Sequence, residues 1–220
     1  IAEEGFDTGS PLDDVLDHVY QFKNGRGLTI SMTFVDSGGH KTQHVYSQCR
    51  ARLQKRVFAI KGQGGDGVPY TRPPSKVKII VDGKAIGQTW LYNVGVDAGK
   101  ADIMGALKVQ EAGPKFCHFP KGEERGYDLA FFNGLLSEKL VMKSERGRTR
   151  WAWEKIKGHE RNEALDCRNY ALAAFRALDP DMDAVERRLR GAAEQGTSKA
   201  NQNRKKEKTR KNRAFEGDDW

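Results

Sequence analysis

The sequence has little of what membrane, secreted and zinc-binding proteins need. No run of about 18 uncharged apolar residues occurs, and no charged-then-apolar leader opens the chain, so we expect neither a membrane span nor a signal peptide. The three cysteines, Cys49, Cys117 and Cys167, are odd in number and widely spaced in apolar contexts. This pattern predicts buried free thiols in a reducing compartment, not a disulfide framework or a zinc site.

A phosphate-binding loop is also missing. The segment Gly95-Val96-Asp97-Ala98-Gly99-Lys100 has three residues between its glycines, and Ala101 follows the lysine. A Walker A loop needs four residues there, and then Ser or Thr. We therefore interpret Asp97 as the cap of a helix over 100–109. No Ser-His or Cys-His nucleophile is evident, and His118 has no partner at metal-ligand spacing, so we interpret it as structural.

Basic charge is concentrated near one end of the chain. The whole sequence has 38 Lys and Arg against 30 Asp and Glu. Between Glu186 and Arg213 there are eleven basic and three acidic residues, so the remainder is balanced at 27 of each sign. Pro180 stops the preceding helical pattern. We therefore predict a globular domain over 1–180 and a basic tail over 181–220, with a short helix over 181–193 and disorder beyond it.

The tail has two functional interpretations besides that of a solubilising segment. It is either an electrostatic arm for DNA or a contact for a protein partner through Phe215 and Trp220. Nothing in it specifies base readout. The cations predicted to contact DNA are Arg204, Lys205, Lys206, Arg210 and Lys211.

The first candidate catalytic residue is Asp36, which ends an alternating run over 28–35. Every second residue there is apolar, which is typical of a strand with one better-buried face. Ser37-Gly38-Gly39 follows, and Val45, Cys49 and Leu53 recur at helical spacing over 41–54. An acid between a strand and a crossover helix lies at the carboxyl edge of a sheet, where open α/β folds bind ligands. The alternative is a turn-capping aspartate.

The second candidate is Asp166, near the start of a predicted helix over 160–178. Glu163 lies three residues earlier, so both carboxylates project from nearly the same face. Both could simply favour the positive end of the helix. That explanation fits Glu163 better than Asp166, because Asp166 lies between Leu165 and Cys167 on a largely apolar helix and unpaired buried charge is costly.

The remaining segments carry weaker signals. The pattern predicts helices over 11–23 and 127–141, a strand over 57–60, and a hairpin of 76–81 and 84–93 that turns at Asp82-Gly83. A short edge strand is predicted over 149–154. The candidate DNA contacts are Lys61, Arg148 and Arg150. Trp151 and Trp153 could either stack on DNA bases or pack in the protein core. Glu138 is the one acid of the predicted helix over 127–141 that could approach the site, but a solvated or salt-bridged role is favoured.

Several motifs together resemble the nuclease domain of tailed-phage terminase large subunits of the lambda-like family. They are Phe34-Val35-Asp36-Ser37-Gly38-Gly39, 57–62, His118-Phe119-Pro120, and above all Arg161-Asn162-Glu163-Ala164-Leu165-Asp166-Cys167 with 170–174. The resemblance covers 6–178. It implies an α/β, RNase H-like fold, a mixed sheet flanked by helices, in which Asp36 matches the acid after the central strand and Asp166 the acid on the final helix.

The resemblance also implies a function. It implies a metal-dependent endonuclease that cuts concatemeric double-stranded DNA during packaging in the host cell cytoplasm. Asp36 and Asp166, with Glu163 as a further candidate ligand, would hold Mg2+ or Mn2+, in two sites, and such carboxylates would repel one another without metal. The implied partners are the terminase small subunit, the portal or prohead, and other copies in the packaging motor.

One departure from the family pattern predicts an incomplete site. The family's first acid lies on an opening strand well before Asp-Ser-Gly-Gly, and no strand ending in Asp is visible before Asp36. We therefore expect a C-terminal piece that lacks the first strands and the packaging ATPase. Two alternatives remain: another RNase H-like nuclease of resolvase or transposase type, or a non-catalytic packaging fragment that binds DNA or a partner.

Overall fold

The computed structural model describes residues 10–121, 123–145, 147–158 and 161–190. The chain divides into one unit of residues 1–20 and 28–178 and a second of residues 21–27 and 179–220. In chain order the elements are α1 (Pro11–Asp17), β1 (Tyr20–Gln21), β2 (Gly27–Leu28), β3 (Thr33–Asp36), α2 (Thr42–Ala51), β4 (Val57–Gln63), β5 (Ser75–Val81), β6 (Lys84–Gly95), α3 (Val96–Leu107), α4 (Leu129–Leu135), β7 (Glu138–Glu145), β8 (Arg148–Lys155) and α5 (Glu163–Leu178).

A four-stranded mixed sheet in the order β3-β4-β6-β5 forms the centre of the first unit. Strands β3, β4 and β6 are parallel, and β5 runs antiparallel to β6. The carboxyl ends of the three parallel strands therefore meet at one edge, which includes Asp36. Among the described residues β3 is the outermost strand of this sheet; the match of Asp36 to the acid after the family's central strand stays a prediction.

Alternating side chains of the strands divide the core into two layers. Val35, Val57 and Ala59 point to one face, where they pack with Tyr46 and Cys49 of α2. On the other face Phe34 and Ile60 pack with Val94, Ala173 and Tyr170. Burial of a side chain such as Ile60, which is fully buried, contributes roughly 1.5–3 kcal/mol. The sheet is thus flanked by helices on both faces, as expected for the α/β class.

A third cluster joins the helices beside the carboxyl edge. Ile103 of α3, Leu135 of α4 and Leu165 of α5 are all buried there. Gly134 lets α4 lie close to α5, because a Cβ at that position would be 3.3 Å from the Cβ of Ala164. This packing fixes the first turn of α5, and hence Asp166, relative to α3.

Several predicted elements are confirmed with changed boundaries. The helix predicted over 11–23 ends at Asp17, and the strand predicted over 28–35 is β3 alone, after a short β2. The predicted hairpin turn is confirmed: Val81 pairs with Lys84, and Asp82 and Gly83 both have positive φ. Asp97 is not the helix cap, because α3 already begins at Val96 and the Asp97 carboxylate accepts a hydrogen bond from the N–H of Gly65.

The helix predicted over 127–141 is wrong beyond Leu135. Helix α4 ends there, and Glu138 begins β7, which pairs antiparallel with β8 from Glu138↔Lys155 to Glu145↔Arg148. The apolar spacing that indicated a helix is real as far as Leu135, which is buried. Beyond it, pairing with a strand that comes later in the chain decides the conformation. The strand predicted over 149–154 is therefore half of a separate hairpin.

The second unit contains a helix over 182–190, as predicted within 181–193. The guanidinium of Arg26 donates hydrogen bonds of 2.9 and 2.6 Å to the carbonyls of Arg188 and Leu189. The predicted DNA contacts of the tail, Arg204, Lys205, Lys206, Arg210 and Lys211, lie outside the described residues, as do the predicted boundary of its disordered part and its terminal aromatics.

Candidate active site at the carboxyl edge of the sheet

Asp36 is the last residue of β3, and its side chain is exposed. The turn after it is held by Ser37, whose buried hydroxyl donates to the carbonyl of Ile60 at 2.7 Å. The N–H of Gly38 donates to Asp36 Oδ1 at 2.9 Å. Asp36 therefore forms the turn that the sequence suggested as an alternative. Its Oδ2 faces the hydroxyl of Tyr170.

Asp166 lies in the first turn of α5, where its side chain is 33% exposed. Its backbone N–H donates to the carbonyl of Asn162 at 3.0 Å, and the neighbouring Leu165 is buried in the third cluster. A negative charge in a first helical turn is stabilised by the helix dipole. Apolar packing on one side and the helix terminus on the other therefore set the position of this carboxylate.

Tyr170 connects the two acids. Its hydroxyl donates to Asp36 Oδ2 at 3.4 Å, and it lies one helical turn after Asp166. Burial raises the pKa of Tyr170, and the charges of Asp36 and Asp166 raise it further. The phenol is therefore protonated at neutral pH and acts as a donor. The structure thus brings together the two acids that the sequence proposed from positions 130 residues apart.

Gly62 of β4 supplies the space beneath Tyr170. A Cβ at this position would be 3.0 Å from Val96 Cγ1 and 3.2 Å from the Tyr170 hydroxyl. Both distances are shorter than ordinary van der Waals contact, so a larger residue would displace the phenol from Asp36. The glycine was quoted in the sequence motif, but its role depends on a residue in a distant helix.

Three further polar side chains adjoin Asp166. The ammonium of Lys100 lies 2.7 Å from Glu138 Oε2 and 3.9 Å from Asp166 Oδ1. The side-chain amide of Asn162 donates to Glu138 Oε1 at 3.0 Å and to Asp166 Oδ2 at 2.9 Å. We call Lys100, Glu138, Asn162 and Asp166 the polar ring. The expectation of a salt-bridged Glu138 is confirmed, although the strand, and not a helix, brings it to the site.

Burial is the largest influence on the pKa of Asp166, which it raises above the usual value. The ammonium of Lys100 lowers the pKa, whereas the charges of Glu138 and Asp36 raise it. The influence of Asp36 shows that the two candidate acids are electrostatically coupled. We expected repulsion between neighbouring carboxylates. For the raised pKa of Asp166, desolvation is a larger cause than that repulsion.

The other predicted site residues are placed less centrally. Glu163 is exposed, and its charge raises the pKa of Cys167. Lys61 is exposed at the predicted sheet edge, but alternation along β4 puts it on the face opposite Ile60 and therefore opposite Asp36. Arg150 is exposed on β8. The side chain of Arg148 lies outside the described part of the structure.

The cysteines are free, as predicted, but their predicted burial is only partly confirmed. Cys49 is buried, Cys117 is half-buried and Cys167 is exposed. Cys167 follows Asp166 on α5, and its position in an apolar stretch of sequence did not reveal that it projects to the outside of the helix. His118 stacks edge-on against Phe116, with ring centroids 4.7 Å apart.

The carboxylate donors fit a hard divalent cation in type but are few in number. Among the described residues no group of three or more His, Cys, Asp or Glu is placed to hold a metal ion. Mg2+ is commonly held by one or two carboxylates, with waters and substrate phosphates completing its coordination. Asp36 and Asp166 are accessible and suit that mode of binding, whereas the Glu138 carboxylate is buried against Lys100 and Asn162.

Comparisons with known proteins identify the family of the chain. The family described as "Terminase large subunit gpA, endonuclease domain" matches residues 3–189. The chain is 31% identical over 169 residues to "Terminase, large subunit" of Escherichia phage lambda, and 31% identical over 172 residues to that of Enterobacteria phage P21. Each alignment covers 75% of this chain and 25% of the relative, so the chain spans about a quarter of their length.

No solved structure matches the chain. No helix among the described residues is long and apolar enough to cross a membrane. The family match covers most of the chain and includes both candidate acids. The chain therefore belongs to the endonuclease-domain family of the gpA-type terminase large subunits.

Proposed function

We propose that this chain is the metal-dependent endonuclease module of a phage terminase large subunit and cuts concatemeric double-stranded DNA during packaging. The observation that carries the proposal is the hydrogen bond from Tyr170 to Asp36 at the carboxyl edge of the sheet, since Tyr170 lies one helical turn after Asp166 on α5. The parallel strands with flanking helices are compatible with an RNase H-like arrangement. The family match supports a terminase-type nuclease over a nuclease of resolvase or transposase type.

The proposed chemistry assigns separate tasks to the residues. Asp36 and Asp166 would hold Mg2+ or Mn2+, in one or two sites; when bound, the cation polarises a phosphate oxygen and lowers the pKa of bound water. Tyr170 donates to Asp36 and orients its carboxylate. Gly62 preserves the space for that contact. Glu163 would be an outer candidate ligand.

We further propose that the β7–β8 hairpin contacts DNA. Glu138 begins the hairpin inside the site, and alternation places Leu140 and Met142 on the same side of it, with Trp151 opposite Met142. Met142 and Trp151 are 65% and 56% exposed, which is unusual for large apolar side chains on one patch. Arg150 and its neighbouring cations on the other side would bind phosphates, and Trp151 would stack on bases.

The remaining assignments follow from the family alone. We propose that the chain acts with a terminase small subunit and the portal or prohead, within an oligomeric motor in the host cytoplasm. The basic tail and Lys61 would add sequence-independent phosphate contacts. Such contacts weaken steeply as salt rises, because each neutralised phosphate releases counterions.

A plasmid-nicking assay in Mg2+ or Mn2+ tests the proposal. We expect Asp36→Asn and Asp166→Asn to reduce nicking by at least about 100-fold, because each removes charge that a catalytic metal needs and such metals contribute several kcal/mol. Asp82→Asn, in the hairpin turn at the opposite end of the sheet, is the matched control and should nick normally. Melting with Mn2+ should show a higher Tm that EDTA reverses, because ligands that bind the native state stabilise it.

A second candidate, a non-catalytic DNA-binding module, is favoured by the absence of a three-acid cluster among the described residues. Salt-dependent DNA binding without Mg2+- or Mn2+-dependent nicking would establish it. Unchanged nicking by both acid variants would reject the metal site proposed here.

A further inference from the structure

The polar ring contains two ions that are nearly excluded from water. The side chains of Lys100 and Glu138 are 10% and 6% exposed, and their contact is 2.7 Å long. Removing charges from water costs several kcal/mol per ion, which their attraction offsets only if the geometry is good. Three elements far apart in sequence supply the ring: α3, the start of β7, and the residues that begin α5.

Asn162 links this buried pair to Asp166. Its amide nitrogen has two hydrogens, and they reach one carboxylate each, Glu138 Oε1 and Asp166 Oδ2. Asp166 is the one member whose side chain is substantially exposed, at 33% against 10% for Lys100 and 6% for Glu138. The ring is therefore buried on one side and has a single substantially exposed carboxylate, that of Asp166.

Glu138 has its two oxygens committed inside the ring. Oε2 accepts from Lys100 and Oε1 accepts from Asn162. Each carboxylate oxygen has a second lone pair, but the Glu138 side chain is only 6% exposed, so a metal ion that used it would have to enter the buried side of the ring beside the Lys100 ammonium. Repulsion by that ammonium disfavours a second cation there.

We propose that Asn162 is a positioning residue for Asp166, that the buried Lys100–Glu138 pair holds Asn162 in place, and that Glu138 is not a metal ligand. The inference rests on the proposed function, because it assumes that Asp166 binds the metal. Partners of metal-binding carboxylates typically affect metal affinity by roughly 10–100-fold when they are removed. A purely structural ion pair would change stability without changing metal affinity.

The first test compares Mn2+ affinity, measured by calorimetry on the folded full chain, in Asn162→Ala and Asn169→Ala. Asn162→Ala removes both amide contacts and leaves the ion pair intact, so we expect Mn2+ affinity to fall roughly 10–100-fold. Asn169 is the matched control: it is fully buried on α5, but its amide donates to the carbonyl of Val96 and its oxygen accepts from Tyr70. Asn169→Ala should lower the Tm and leave Mn2+ affinity unchanged.

The second test uses the double variant Lys100→Gln/Glu138→Gln. It removes both charges but leaves an amide oxygen to accept from Asn162 and an amide pair across the former ion pair. We expect Mn2+ affinity to stay close to that of the natural chain, because the amide at position 138 still accepts from Asn162 and the two removed charges have opposite signs. If Glu138 were a ligand, affinity would fall as it does in Asp166→Asn, and this part of the inference would be rejected.

The Asp166→Asn variant separates failure of the inference from failure of the proposed function. If Asp166→Asn binds Mn2+ as tightly as the natural chain, the metal site itself is wrong. If Asp166→Asn loses affinity but Asn162→Ala does not, the site stands and the positioning role is rejected. Should the double variant fail to fold, the two asparagine variants still decide the positioning role.

Discussion

Two buried ion pairs in the first unit have different surroundings. In one, Arg52 forms a bidentate contact with Asp13, at 2.9 and 2.7 Å, beside the cluster that contains Cys49. Gln48 contacts Arg52, Lys55 contacts Asp13, and Arg52 is 4% exposed. In the other pair, Lys100 and Glu138 lie beside Asp166.

The difference lies in where each network ends. The Arg52–Asp13 pair joins α1 to the turn after α2, and its planar guanidinium matches the carboxylate with two parallel hydrogen bonds. The Lys100–Glu138 pair continues through Asn162 to a carboxylate that is open to solvent. The first network also reaches solvent, through Lys55 and Asp17, but only the second includes a candidate metal ligand, so we expect only the second to influence metal binding. The following predictions test that distinction.

The largest effect on stability is expected from Arg52→Met. The change leaves Asp13, which is 15% exposed, without its bidentate partner, and breaking a buried pair costs roughly 3–5 kcal/mol. We expect a value near the lower limit, because Lys55 remains 3.5 Å from Asp13. Urea unfolding should show this loss, while Mn2+ affinity of the folded protein stays unchanged. Arg50→Met, at an exposed neighbouring position, is the control; an equal loss there would contradict the comparison.

A smaller effect, of opposite sign, is expected from Asp166→Asn. Burial raises the pKa of Asp166 in the folded protein, so above its unfolded value the native state binds more protons than the unfolded state. The free energy of unfolding then falls as the pH rises through the folded pKa. The asparagine variant should therefore be more stable at pH 7 in EDTA, and its advantage should disappear on acidification toward pH 4. Denaturant titrations across this range, with Asp82→Asn as control, check it; a pH-independent difference would be inconsistent with the raised pKa.

The smallest expected effect is a difference in cysteine reactivity between the regions of the two ion pairs. Burial raises the pKa of Cys49 to about 12, although Arg52 lowers it somewhat. At pH 8 only about one Cys49 thiol in ten thousand is ionised, and the thiolate is the reactive form. Cys167 is exposed, and its pKa is also raised, by burial first and then by Asp166 and Glu163.

We expect Ellman's reagent to modify Cys167 in the native protein and Cys49 only after unfolding. The reaction of Cys49 should appear as a slow phase that depends on unfolding, and a Cys49→Ala variant should lack it. Arg52→Met should speed this phase, because local opening becomes easier. Fast modification of Cys49 in the natural chain would contradict the burial of the first region.

Most of the elements that hold the two acids could be predicted from local patterns. Alternation located Asp36 at a strand end, the apolar spacing of α2 and α5 indicated helices, and Asp82-Gly83 indicated a hairpin turn. These signals are local, because strand alternation and helical spacing repeat within a few residues. Asp36 and Asp166 were recognised through motif wording, and their convergence is consistent with it.

The polar ring could not be predicted in the same way. Lys100 begins the predicted helix over 100–109, Glu138 falls in the predicted helix over 127–141, and Asn162 is part of the motif before α5. No local pattern distinguishes these three residues from solvated polar residues, because their contacts join segments that are far apart in the chain.

The sequence by itself determined the α/β class, the free cysteines and the positions of Asp36 and Asp166 at the ends of their elements, because these depend on residue types and short-range periodicity. The tertiary structure alone decided that β7 pairs with β8, that Lys61 faces away from Asp36, and that Glu138 is neutralised by Lys100. These outcomes depend on strand pairing and on the cost of desolvating charges, which are set by residues distant in the chain.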